Sequence, residues 1–152
     1  MPDTTTTDLV CFSHLRWNFV YQRPQHLLSR FAGSFRVFYV EEPIMDASSG
    51  ASLDVSTPSE NLWIVVPHLV PGKGEEEQVL IQKELLSKFF NDQKIISYIF
   101  WYYTPMALAV SDQFHPQVII YDCMDELSAF KFAPQSLKDR ENELFAKADL
   151  VF

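Results

Sequence analysis

The stretch "LVCFSHLRWNFVYQRPQHLLSRFAGSFRVFYVE", residues Leu9–Glu41, holds two short apolar runs with a helical pattern between them. Leu9–Ser13 and Arg36–Glu41 are apolar at nearly every position, which suits strands covered on both faces of a parallel sheet. Between them Pro24 fits the first position of a helix, Leu27, Leu28 and Phe31 share one face, and Gly33 sits where a C-terminal cap belongs. Strand, helix and strand together describe one crossover unit, for which the right-handed sense is expected.

The same alternation continues outward. Met45–Glu60, rich in Ser, Asp and Ala, reads as a surface excursion with a short strand at Leu53–Ser56, and Leu62–Val66 is a stronger strand. From Glu75 to Asn91 the spacing of Ile81, Leu85 and Phe89, with Leu86 and Phe90 beside them, predicts an amphipathic helix. "SYIFWYY" at Ser97–Tyr103 and "QVIIYD" at Gln117–Asp122 are further strands, with a short helix from Thr104-Pro105 to about Phe114 between them. Leu137, Glu141, Leu144, Phe145 and Ala148 mark a last helix whose apolar face is interrupted by a charge. Strands alternating with helices predict the α/β class: a Rossmann-like open, mostly parallel sheet with helices on both faces. The runs at Leu9, Ser97 and Gln117 are expected centrally, and those at Leu53 and Leu62 toward one edge. "DLVF" at Asp149–Phe152 reads as a strand cut off as it begins, so the chain is expected to be a fragment.

A chain of 152 residues suits one domain, since folded chains of that size hide roughly two-thirds of their extended surface. Hydrophobic residues at 47% and charged ones at 21% exclude a disordered chain. The net charge of -8 argues against a phosphate-backbone binder, so nucleic acid is not an expected partner. Cys11 and Cys123 lack a CxxC partner or metal-like spacing and read as buried free thiols of a reducing compartment; no metal is expected. "MPDTTTTD" lacks the features of a signal peptide and no run is long enough to span a bilayer, so the expected location is cytoplasmic, with peripheral membrane association left open. Glycines at 33, 50, 72 and 74 cannot build a GxGxxG or a P-loop, and neither GxSxG nor HExxH occurs. No cofactor is therefore expected in this domain.

Open α/β sheets bind ligands beyond the carboxyl ends of their strands, which singles out three loops: Ser13–Arg23, Tyr102–Pro105 and Asp122–Phe130. The first is unusually bulky. His14, Arg16, Trp17, Tyr21 and Arg23 would set aromatic faces and hydrogen-bond donors on the rim of a cleft, as a polar ring-shaped ligand requires. Trp17, Phe19 and Tyr21 alternate, so packing on the sheet edge explains them equally well, and His14 fits a structural hydrogen bond. Arg23 and Gln25 flank Pro24; an arginine at a helix N-terminus opposes the dipole and points to an anionic partner. Asp122, Asp125 and Glu126 form the densest acidic cluster, suited to acid/base work or to capping the next turn.

Five segments in order carry a resemblance: "CFSHLRWNFVYQRPQHLLSRFA" from Cys11, "RVFYVEEP" from Arg36, "WYYTPMAL" from Trp101, "YDCMDELSAF" from Tyr121 and "ENELFAKADLVF" from Glu141. Together they resemble the amino-terminal domain of bacterial GT-B glycosyltransferases related to family 1 and family 4 enzymes, across nearly the whole chain. The "W…QRPQHL" loop and "YDCMDE" resemble a subgroup labelled as, or joined to, UDP-galactopyranose mutase; the flavin fingerprint of a mutase itself is absent. The resemblance implies two Rossmann-like domains facing across a cleft. Residues 1–152 would be the acceptor-side half, and a carboxyl-terminal domain absent from this chain would hold the nucleotide-sugar donor. The implied activity is sugar transfer in surface or extracellular polysaccharide synthesis, with a sugar or polysaccharide acceptor as partner and this half inactive alone. The candidate acceptor-binding residues are His14, Arg16, Trp17, Arg23, Gln25, Tyr103, Asp125 and Glu126, and the catalytic candidates are His14, Asp122 and Asp125. The chain departs from many relatives in having "SHLRW" in place of a glycine-rich turn and "YDCMDE" in place of a late histidine. The alternatives are a non-catalytic Rossmann-like module that binds carbohydrate or protein, and a domain attached to a UDP-galactopyranose mutase.

Overall fold

The computed structural model describes residues 7–18, 23–123 and 134–152. Strand β1 (Asp8–Ser13) is buried at every position, as is β2 (Val37–Glu41), so side chains on both faces meet protein. They pair in parallel, Leu9 opposite Val37 and Ser13 opposite Glu41, joined through helix α1 (Arg23–Phe31). The expected glycine cap takes another form. Gly33 is not in the left-handed region; its N–H bonds the Arg30 carbonyl at 3.1 Å, and an added Cβ would lie 3.3 Å from that oxygen.

The remaining elements are β3 (Ser52–Ser59), β4 (Leu62–His68), α2 (Glu75–Asp92), β5 (Tyr98–Tyr102), a 3-10 turn (Pro105–Ala107), α3 (Leu108–Ser111), β6 (Val118–Tyr121), α4 (Gln135–Lys147) and β7 (Leu150–Val151). Among the described residues they form one seven-stranded sheet in the order β3-β4-β2-β1-β5-β6-β7. All neighbouring pairs are parallel except β3 with β4. This is the Rossmann-like α/β architecture that the sequence predicts, with the Leu53 and Leu62 runs at one edge. Two details differ. The excursion holds an eight-residue strand, longer than Leu53–Ser56, because β4 supplies a hydrogen-bonding partner along its length. The helix after β5 ends at Ser111, short of Phe114.

The chain steps from β1 to β2 and on to β4 in one direction, and α2 then carries it back to β5 on the other side of β1. Winding therefore reverses between β1 and β5. Right-handed crossovers require helices made before and after the reversal to lie on opposite faces. The two halves of the core show it: Leu28 of α1 packs with Leu9, Cys11 and Tyr39, whereas Leu86, Phe89 and Phe90 of α2 pack with Val10, Phe12 and Phe38. At the amino ends of the strands Arg36 donates to both carboxylate oxygens of buried Asp8, at 2.7 and 2.6 Å, locking β1 to the start of β2.

Both cysteines are free thiols. Cys11 is fully buried, and loss of water together with the charge of Asp122 pushes its pKa well up. Cys123, expected to be buried, is only half-buried because it lies past the end of β6.

Candidate functional site

The carboxyl end of β2 meets the first loop in a set of hydrogen bonds centred on Glu41. This last residue of β2 is 7% exposed. Its Oε1 accepts from Arg16 at 3.1 Å and its Oε2 from the Trp17 N–H at 2.9 Å. Arg16 also donates to the Glu42 carbonyl at 2.6 Å. Buried carboxylates need such partners, since an unpaired charge out of water is costly. The loop is fixed further by Tyr39, whose hydroxyl donates to the Leu15 carbonyl at 2.8 Å, and by Gln25, whose amide donates to the Trp17 carbonyl at 2.9 Å. The Trp17 ring meets the Tyr39 ring edge-on, centroids 5.0 Å apart. The described part of this bulky loop is thus tied to the sheet by its own rings and cations.

On the α2 side of the same strand ends lies a cavity of about 400 Å³. Ser13, Glu41 and the exposed Glu42 line it at the strand ends, together with Phe12 and Val40 of the core. One wall is a stripe of α2 at helical spacing: Glu75, Gln78, Val79, Gln82 and Leu86. The opposite wall runs from Thr104 to Val110, where the Thr104 hydroxyl oxygen caps the 3-10 turn by accepting from the Met106 N–H at 3.2 Å. Ser136 and Arg140 of α4 stand at the rim, and Arg140 donates to Glu143 at 3.1 Å. Glu42 remains in contact with solvent, yet the protein around its carboxyl removes enough water to raise its pKa, an effect opposed by His14 and Arg16. The volume falls in the range of small-molecule sites, about 300–1,000 Å³. Apolar walls with a few convergent amides and carboxylates suit a compact polar ligand.

The residues singled out from sequence distribute as follows. Arg16, Trp17 and Gln25 come together around Glu41 and the loop backbone, and His14, half-buried, is close enough for its charge to act on Glu42. Tyr103 is buried on the α1 face, its N–H bonded to the Phe12 carbonyl at 2.8 Å. Asp122 is fully buried, its N–H bonded to the Tyr102 carbonyl at 2.9 Å. None of these side chains is among those that line the cavity. Asp125, Glu126, Phe19 and Tyr21, and the side chain of Arg23, lie outside the described residues. Thr104 falls in the Tyr102–Pro105 loop singled out from sequence, whereas sequence reading missed Glu41, Glu42, Glu75, Gln78 and Gln82. Two signals pointed to them: paired carboxylates at a strand's carboxyl end before a proline, in "VEEP", and a polar stripe at 75, 78 and 82 on a helix otherwise read for its core face. Among the described residues no cluster of His, Cys, Asp and Glu could hold a metal ion, and no helix is long and apolar enough to cross a membrane.

No family model and no curated protein matches the sequence. Solved structures do match in fold. The E. coli trehalose-6-phosphate protein bound with UDP-2-fluoro glucose aligns with a TM-score of 0.59 at 10% identity, over 95% of this chain and 39% of that one. The α,α-trehalose 6-phosphate synthase of Burkholderia multivorans aligns with a TM-score of 0.53 at 7% identity, over 96% of this chain and 39% of that one. The chain thus spans well under half the length of either structure, and at these identities the likeness is one of fold.

Proposed function

We propose that this chain is the acceptor-side half of a two-domain GT-B glycosyltransferase, working at the cytoplasmic side of surface or extracellular polysaccharide synthesis. A second α/β domain beyond residues 1–152 would hold the nucleotide-sugar donor. The observation that carries the reading is the cavity at the carboxyl ends of β2 and β1, beside the point where winding reverses, in a fold shared with chains one of which is bound with a UDP-sugar analogue. Open α/β sheets bind their ligands at that place.

Glycosyl transfer needs an acceptor hydroxyl held against an oxocarbenium-like centre and a cationic or N–H-rich seat for the departing diphosphate. The cavity offers the first of these: carboxylates and amides that accept and donate to hydroxyls, between apolar walls that fit the C–H faces of a sugar ring. Arg16 acts as a positioning residue for Glu41, and His14 beside Glu42 remains a candidate for contact with acceptor or donor. Nothing in the fold or the cavity favours the association with UDP-galactopyranose mutase.

The test is a transfer assay on a protein that carries this chain followed by a donor domain, with UDP- and GDP-sugars and a panel of saccharide acceptors. Acceptor-dependent release of nucleoside diphosphate is expected, and it should fall at least tenfold in Gln82→Ala with unchanged folding. Saturable carbohydrate binding in the cavity without release from any donor would replace the enzyme by a binding module.

A further inference from the structure

The cavity has a charge pattern that restricts what can enter it. Three carboxylates line it, Glu41, Glu42 and Glu75. Arg16 and the Trp17 amide compensate Glu41. Arg140, the cation among the lining residues, is bonded to Glu143. Glu42 and Glu75 therefore leave the mouth negative. A helix N-terminus is where a phosphate would otherwise sit, through free N–H groups and the positive end of the dipole. Here the first turn of α2 is Glu75, Glu76 and Glu77, so the chain's own carboxylates occupy that favourable field and repel another anion. The rest of the lining suits a neutral polyhydroxylated ring. Gln78 and Gln82, four residues apart on one face of α2, supply amide donors and acceptors, while Met45, Val79 and Met106 supply apolar surface.

We propose that the cavity between α2, the β1 and β2 ends and the Thr104–Val110 segment is an acceptor subsite selective for an uncharged saccharide and closed to a phosphorylated one. This deepens the acceptor-side reading above and rests on it. No covalent step is involved; selection arises because a phosphate monoester would meet the Glu42 and Glu75 carboxylates, while the cation among the described lining residues, Arg140, is already bonded to Glu143.

The test uses residues 1–152, isotopically labelled, with glucose, galactose and mannose set against their 6-phosphates at neutral pH. At least one neutral sugar should shift the side-chain amide signals of Gln78 and Gln82, and its 6-phosphate should bind at least tenfold more weakly. Gln82→Ala and Gln78→Ala should each weaken the neutral sugar at least fivefold with an unchanged melting curve. The double change Glu42→Gln with Glu75→Gln should raise affinity for the phosphate at least threefold and narrow the gap. A phosphate that binds as tightly as its parent sugar overturns the proposal, as does a panel that leaves both glutamine signals unmoved. The two readings fail separately. Transfer to a phosphorylated acceptor by the two-domain protein would refute the selectivity and keep the enzyme, whereas neutral-sugar binding without transfer would keep the subsite and refute the enzyme.

Discussion

Glu41 is held by Arg16 and by the Trp17 amide, and its side chain is 6% exposed against 38% for Arg16. The two partners should therefore respond unequally to mutation. Glu41→Gln leaves a buried amide facing a guanidinium and removes charge from two hydrogen bonds, so a loss of about 1–3 kcal/mol is expected in urea unfolding. Arg16→Ala, with solvent nearby to screen the pair, should cost less, within about 1 kcal/mol. Equal losses would mean that the guanidinium, rather than the carboxylate, organises the loop. Glu42 gives a pH test at the same scale. Burial raises its pKa, so the folded chain binds the proton more tightly than the unfolded one. Its contribution to stability is therefore full below the ordinary glutamate pKa and is lost as pH rises through the folded value. Glu42→Gln removes that penalty: relative to the parent, its melting temperature should be higher at pH 7 than at pH 4. A difference constant across that range would show that Glu42 is not held off its ordinary value.

The turn from β3 to β4 places Asn61 at φ 63°, the left-handed region that β-branched residues avoid. Asn61→Val should lower stability by about 1–2 kcal/mol. Asn61→Gly should stay within about 0.5 kcal/mol of the parent, since it relaxes the backbone and gives up only the weak amide bond to the Ala32 carbonyl, at 3.3 Å. A glycine variant less stable than the valine one would show that the amide contact governs the turn. This edge also marks where sequence reading loses power. β1 and β2 were legible because being covered on both faces forces apolar side chains at every position. β3 is exposed along nearly its whole length, so it has neither a continuous apolar run nor a clean alternation, and only hydrogen bonding to β4 makes it a strand. The site divides in the same way. That the strand ends would matter follows from open-sheet topology, and the tied first loop lies there; the cavity wall does not announce itself, because Glu75, Gln78 and Gln82 become a lining only when α2 crosses back over the strand ends.

For the molecule as a whole, charge sets what the chain can do by itself. It carries a net charge of -8, and many of its described cations are engaged: Arg16, Arg36, Lys73, Lys83, Lys88, Arg140 and Lys147 all sit in ion pairs. A departing nucleoside diphosphate needs preorganised donors or cations aimed at it, and the first turn of α2, the helix terminus beside the cavity, is filled with glutamates. We therefore expect residues 1–152 to fold and melt as one cooperative unit, to bind a neutral sugar in the cavity, and to release no nucleotide from UDP- or GDP-sugars above the protein-free background. The same sample must supply both the cooperative melt and the transfer assay, so that a null result cannot come from an unfolded chain. Release that scales with protein concentration and drops in Glu41→Gln would overturn the division of labour. The acidic cavity would then belong to a complete active site, and the leaving group would have to be stabilised by residues of this half.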